Sequence, residues 1–182
     1  MTRNVSRVVT AVCAIALFCV CFIIFYGYFY EKAQAQRPEQ PALSPSVVGQ
    51  PLPQSRLVDA DGSASDDAEV RKGKVVLAFV SPECDACLDE SKFLATVVKQ
   101  RGDVRFYGVV SFAESKDALR PAEGKFPFKL LFDEGSFLRK GLSIKRLPTK
   151  VYLEDGVIKK TWIGSTAFYG AEQEFGDWLR SL

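Results

Sequence analysis

The chain of 182 residues is 47% hydrophobic and 25% charged, a length and balance that fit one domain plus an extra segment. It contains no histidine, which excludes Ser-His and Cys-His nucleophilic catalysis, His-ligated zinc or copper, and imidazole acid/base chemistry. Of the 24 basic residues only Arg3 and Arg7 precede residue 31, and none of the 22 acidic residues does. Residues 31–182 are therefore formally neutral and lack the dense basic face of a nucleic-acid-binding domain, so no nucleic-acid partner is expected.

Val8 to Tyr30 is an uncharged run of 23 residues, about 35 Å as a helix and enough to cross a lipid bilayer. Arg3, Arg7 and the terminal amine flank one end, and Tyr26, Tyr28 and Tyr30 crowd the other, where amphipathic rings favour the headgroup level. The expectation is a transmembrane anchor over 8–30, with 1–7 in the cytoplasm and everything beyond residue 30 outside. A rival reading is a signal peptide cleaved after Ala35, because Ala33-Gln34-Ala35 has the small-x-small pattern. The length of the run and the charges of Glu31 and Lys32 speak against it. Cys13, Cys19 and Cys21 lie within the run and read as small apolar side chains.

Residues 31–46 read as a Pro-rich linker, and 36–54 hold five of the nine prolines, a composition that favours an extended, semi-rigid spacer. A domain is expected over 47–182. Leu57 to Gly62 reads as a strand running into a turn, and Ser63 to Asp67 as a polar loop. Lys74 to Val80 is an unbroken apolar run after Gly73, as expected of a central strand buried on both faces. From Cys84 to Gln100, the residues Cys87, Leu88, Phe93, Leu94, Val97 and Val98 recur at helical spacing, closed by Gly102. Val104 to Phe112 is a second buried-type strand, which a right-handed crossover pairs in parallel with the first. Glu114–Leu119 reads as a short helix, Lys129–Phe132 as a brief strand and Ser136–Leu142 as a helical turn. Val151–Leu153 and Val157–Ile163 read as a hairpin around Asp155-Gly156. Ala171 to Leu182 reads as a helix with Phe175, Trp178, Leu179 and Leu182 on one face. The class is α/β.

Cys84 and Cys87 form a Cys-x-x-Cys pair where a strand enters a helix, a redox hypothesis with a mechanism behind it. At the helix start, unpaired N–H groups and the positive end of the helix dipole favour a thiolate on Cys84, the attacking thiol. Cys87, one turn deeper on the same side, can attack a mixed disulfide on Cys84 and so resolves it. A structural disulfide is the plainer alternative, but a bridge that closes so short a loop restrains the unfolded chain little. A metal knuckle needs about four ligands, and the chain has neither histidine nor a second cysteine pair outside the apolar run. No metal and no cofactor beyond the Cys84–Cys87 disulfide is expected.

Over about 47–182 the sequence resembles the membrane-anchored thioredoxin-fold proteins of the TlpA-like, or redoxin, group, which includes the thiol-disulfide oxidoreductases of cytochrome c maturation. The resemblance rests on Val48-Gly49-Gln50-Pro51-Leu52-Pro53, Leu57 to Gly62, Lys72 to Phe79, Cys84 to Glu90, Phe112 to Lys116, Arg146-Leu147-Pro148-Thr149, Leu153 to Ile158 and Ile163-Gly164. It implies a central mixed β-sheet flanked by helices, with an N-terminal β-hairpin. It also implies that Pro148 is a cis-proline beside the active site, that Leu147 before it offers backbone groups to an extended substrate, and that Glu90 exchanges a proton with Cys87 at a partly buried position. The clients implied are protein disulfides or thiols, supplied with electrons by an upstream membrane thiol donor, at the periplasmic or outer face of a bacterial inner membrane. The sequence departs from the group's pattern at Glu83 and Ala86, which stand where Trp and Pro are common; Ser81-Pro82-Glu83 resembles the redoxins of methylamine utilisation.

Glu83, Asp85, Asp89 and Glu90 surround the pair with acids, and no base follows until Lys92. Negative charge disfavours a thiolate and so favours a reductase. Two other readings remain open. One is a thiol peroxidase of the peroxiredoxin type, for which Ser81 fits the motif and Leu77 does not. The other is a non-enzymatic, membrane-tethered assembly module with an idle disulfide.

Overall fold

The computed structural model of the protein describes residues 18–23, 25–26, 47–65, 67–165 and 171–182. The chain divides into two units, Met1–Gln40 and Pro41–Leu182. In the first, residues 18–23 and 25–26 are helical with exposed side chains, and Cys19 and Cys21 are free. Among the described residues no helix is long and apolar enough to cross a membrane. Most of the expected span over 8–30 lies outside the described residues, as do 1–7, Cys13, the linker 31–46 and the Ala33-Gln34-Ala35 site.

The second unit runs β1 (Leu57–Val58), α1 (Asp67–Arg71), β2 (Lys74–Phe79), α2 (Asp85–Gln100), β3 (Val104–Val110), a 3-10 stretch (Lys116–Ala122), β4 (Lys129–Asp133), α3 (Phe137–Gly141), β5 (Thr149–Glu154), β6 (Val157–Ile163) and α4 (Ala171–Ser181). The six strands form one mixed sheet in the order β1-β4-β3-β2-β5-β6. β2, β3 and β4 are parallel, while β1, β5 and β6 each run antiparallel to a neighbour.

The alternation of side chains along a strand divides the core into two layers. From β2, Val75, Leu77 and Phe79 join Val70 of α1 and Leu138 of α3 on one face. Val76 and Ala78 of β2 and Val80 just beyond it join Cys87, Leu94 and Val97 of α2 and Phe175 and Leu179 of α4 on the other. The continuous apolar run that marks β2 in the sequence is thus the requirement of a strand covered on both sides.

The expected N-terminal hairpin is reduced to β1 and a single bridge, Val58 to Ala64. Asp59 causes the contraction: its Oδ1 accepts from the Asp61 and Ser63 N–H groups at 3.1 and 3.0 Å, closing a tight turn that leaves two residues to pair. Those two also pair with β4 on their other side. Helix α1 replaces the end of the expected polar loop. It is held by the buried Val70 and by the Arg71 guanidinium, which donates to the Leu52 and Pro53 carbonyls at 2.6 Å each. The expected helix at Glu114–Leu119 is the 3-10 stretch, two residues later, with Ser115 Oγ accepting from the Asp117 N–H at 3.3 Å. The β5–β6 hairpin is as expected: Asp155 and Gly156 have φ of 48° and 78°, the positive pair that a type I′ turn requires. Asp155 Oδ1 also accepts from the Gly73 N–H at 2.8 Å, tying the turn to the start of β2.

Candidate active site

β2 ends at Phe79 and the chain turns through Ser81-Pro82-Glu83 into α2, with Cys84 as the helix N-cap. Cys84 and Cys87 are joined by a disulfide with a Cα–Cα separation of 5.2 Å. Cys84 Sγ accepts from the Cys87 N–H at 3.2 Å, an amide that also donates to the Cys84 carbonyl at 2.9 Å, so a first-turn amide is shared with that sulfur. Cys84 is half-buried and Cys87 is wholly buried. A reagent therefore meets Cys84 first, while Cys87 belongs to the layer between the sheet and α2.

The Leu147–Pro148 peptide is cis. Pro148 is buried, its carbonyl accepts from the Gly164 N–H at 2.7 Å, and Thr149 Oγ1 donates to the Arg146 carbonyl at 2.8 Å. Leu147 and Cys84 are both partly buried against the cluster that contains Cys87. Leu147, the residue expected from the resemblance to offer backbone groups to a substrate, is thus gathered with the cysteines against one cluster.

Glu90 departs from expectation. It is wholly buried, not partly, and its carboxylate is engaged: Lys150 Nζ donates to Oε1 at 2.6 Å and Ser165 Oγ donates to Oε2 at 2.7 Å. Lys150 is also wholly buried, and it gives a second hydrogen bond to the Gly164 carbonyl at 3.1 Å. Alternation along β5 explains its position, since Val151 and Leu153 point to the α1/α3 layer and Lys150 shares the opposite side with Tyr152. Burial lowers the affinity of Lys150 for its proton, and the charge and hydrogen bond of Glu90 oppose that effect.

The acidic surround of the cysteines is correspondingly smaller than the sequence implies. Lys150 neutralises Glu90, and Lys92 pairs with Asp89 at 2.7 Å on the surface. Glu83 and Asp85 remain exposed next to Cys84, without an ion pair among the described residues. Sequence reasoning missed Lys150; the one available signal was a lysine at a position that period-2 alternation assigns to a covered face. Among the described residues no cluster of His, Cys, Asp or Glu could hold a metal ion.

No family model matches the chain, and no curated protein matches it in sequence. Solved structures do resemble it. A secreted disulfide oxidoreductase of Mycobacterium tuberculosis homologous to DsbE of E. coli is 22% identical, over 72% of this chain and 97% of that one, with a TM-score of 0.58. DsbF of the same bacterium, solved in mixed oxidized and reduced forms, is 19% identical over 71% and 95%, with a TM-score of 0.58. A Chlorobium tepidum protein with the provisional name thiol:disulfide interchange protein DsbE is 18% identical over 74% and 95%, with a TM-score of 0.61. The second unit of the chain therefore has a thioredoxin-like fold, with its cysteine pair at the start of the first long helix.

Proposed function

We propose that the protein is a thiol-disulfide oxidoreductase that reduces disulfides of client proteins outside the cytoplasm. The observation that carries this reading is the Cys84–Cys87 disulfide at the start of α2, with an accessible sulfur that accepts an amide hydrogen bond and a buried sulfur behind it. In the reduced protein, the Cys84 thiolate attacks a client disulfide; a mixed disulfide forms and one client thiolate leaves. Cys87 then loses its proton, its sulfur attacks Cys84, the Cys84–client bond breaks, and the second client thiolate departs and is protonated. Two electrons pass to the client and the Cys84–Cys87 disulfide forms. Glu90, one turn beyond Cys87 on α2, is the acceptor of the Cys87 proton. Leu147 and Pro148 line the position of the client chain.

The reducing direction is supported by Glu83 and Asp85, whose charges beside Cys84 raise the free energy of its thiolate, and with it that of the reduced form. The full setting is a domain tethered to a bacterial inner membrane by residues 8–30, on the periplasmic or outer side, recharged by a membrane thiol donor. The apolar run, Arg3 and Arg7 support the tether. Maturation of cytochrome c or a related redox protein is the pathway that the sequence resemblance favours.

Full-length protein should catalyse the reduction of insulin disulfides by dithiothreitol, and Cys84→Ser should abolish the catalysis. Full activity in Cys84→Ser would overturn the reading.

A further inference from the structure

The ion pair of Glu90 and Lys150 is placed where it can control chemistry. Both side chains have no exposure, and they connect the two halves of the site. Glu90 lies on the cysteine helix, one turn beyond Cys87, and Lys150 lies on β5, two residues after Pro148. Ser165, in the segment after β6, donates to the second carboxylate oxygen, and the Phe175 ring of α4 lies 5.8 Å from Lys150 Nζ. The carboxylate thus receives Lys150 from β5 and Ser165 from beyond β6; Cys87 stands three residues before it on the same helix, and the apolar Phe175 ring of α4 lies beside Lys150. Farther along β5, the Tyr152 hydroxyl is turned to Glu154 at 2.7 Å.

Stability alone is a poor reason for such a pair, because well-packed apolar residues generally do as well in a core. Charge balance offers a better one. A carboxyl group without a counter-charge at full burial stays protonated and cannot accept a proton. With Lys150 beside it, the layer is neutral at rest, with Glu90 negative and Lys150 positive. When the Cys87 proton moves to Glu90, the layer holds a thiolate and an ammonium ion and is neutral again.

We propose that Lys150 is a positioning residue of the thiol exchange, holding Glu90 as an aligned carboxylate so that Glu90 can take the proton of Cys87 during resolution. The inference rests on the oxidoreductase reading. It extends that reading from the helix that carries the cysteines to the strand behind them.

The test uses the full-length protein with Cys13, Cys19 and Cys21 replaced by serine, reduced and mixed with 5,5′-dithiobis(2-nitrobenzoate). Attack by Cys84 releases one thionitrobenzoate and forms the mixed disulfide. Attack by Cys87 releases the second and closes Cys84–Cys87. In Lys150→Met the second release should slow on the order of 100-fold near neutral pH, with its pH profile moved upward, while the first changes little. Glu90→Gln should move the profile in the same direction, and Glu90→Gln/Lys150→Met should superimpose on Glu90→Gln, since Lys150 acts only through Glu90. A Lys150→Met profile equal to wild type, with only the melting temperature lowered, would overturn the proposal. If Lys150→Met does not fold, the comparison of Glu90→Gln with the double variant decides, and a slower double variant would place Lys150 on the thiol itself and overturn it. Absence of a second release in the parent protein would instead sink the oxidoreductase reading.

Discussion

The Cys87 N–H donates to Cys84 Sγ at 3.2 Å across the first turn of α2, so the disulfide has one sulfur served by a helix amide and one shut in the core. That asymmetry sets different reactivities for two residues three positions apart. In reduced protein lacking Cys13, Cys19 and Cys21, iodoacetamide should modify Cys84 at least about tenfold faster than Cys87 at neutral pH. Mass spectrometry of timed samples reads the ratio, and equal rates would remove the distinction between attacker and resolver.

Breaking a buried ion pair on one side leaves an uncompensated charge, whereas replacing both partners does not. Lys150→Met or Glu90→Gln alone should lower unfolding stability by about 3–5 kcal/mol, and the double variant should recover much of the loss. Urea titrations measure all three. Additive losses would mean that the two residues are not coupled.

Gly108 sits mid-strand in β3, and a Cβ there would collide with Leu130 Cδ2 and lie 2.7 Å from Phe128 Cε2. Both are side-chain ends, so the site can yield at a cost. Gly108→Ala should destabilise the domain by about 1–3 kcal/mol through overpacking. An unchanged urea midpoint would show that the Phe126–Phe128 region moves aside freely.

Tyr107 donates to Glu69 Oε1 at 2.6 Å, and burial first, then the Glu69 hydrogen bond and charge, push its hydroxyl from 10.0 up to about 12. Between those two values the folded state binds the proton that the unfolded state has released. The contribution of Tyr107 to stability is therefore fully present below pH 10 and is lost as pH rises towards 12. Tyr107→Phe should cost about 1 kcal/mol at pH 8 by removing the hydrogen bond, and should lose less stability than wild type between pH 10 and 12. Unfolding free energies measured at both ends of that range test the sign.

The proposed tether predicts that protease added to intact spheroplasts removes the domain while residues 1–30 stay in the membrane fraction. Full protection would reverse the topology. A mature chain beginning at Gln36 would show cleavage after Ala35 instead.

Elements whose signals are local were legible in the sequence. The doubly apolar run of β2, the helical spacing from Cys87 to Val98 and the Asp155-Gly156 turn each state in a few residues what the backbone must do, and each appears in place. The start of α2 at a cysteine was equally legible, because a Cys-x-x-Cys pair after a buried strand needs little beyond its neighbours to be read. Features with few local apolar residues were not legible: Val70 is the one buried apolar residue of α1, too little to create a period, and the turn around Asp59 shortens β1 through its own carboxylate. Tertiary structure alone decided the environment of Glu90. From sequence, Glu90 reads as partly buried at most and a lysine on a strand as solvated, since an isolated charge is too costly to bury. Only the fold, by packing α2 across β5, brings Lys150 to Glu90 across 60 residues of chain and makes burial of each depend on the other.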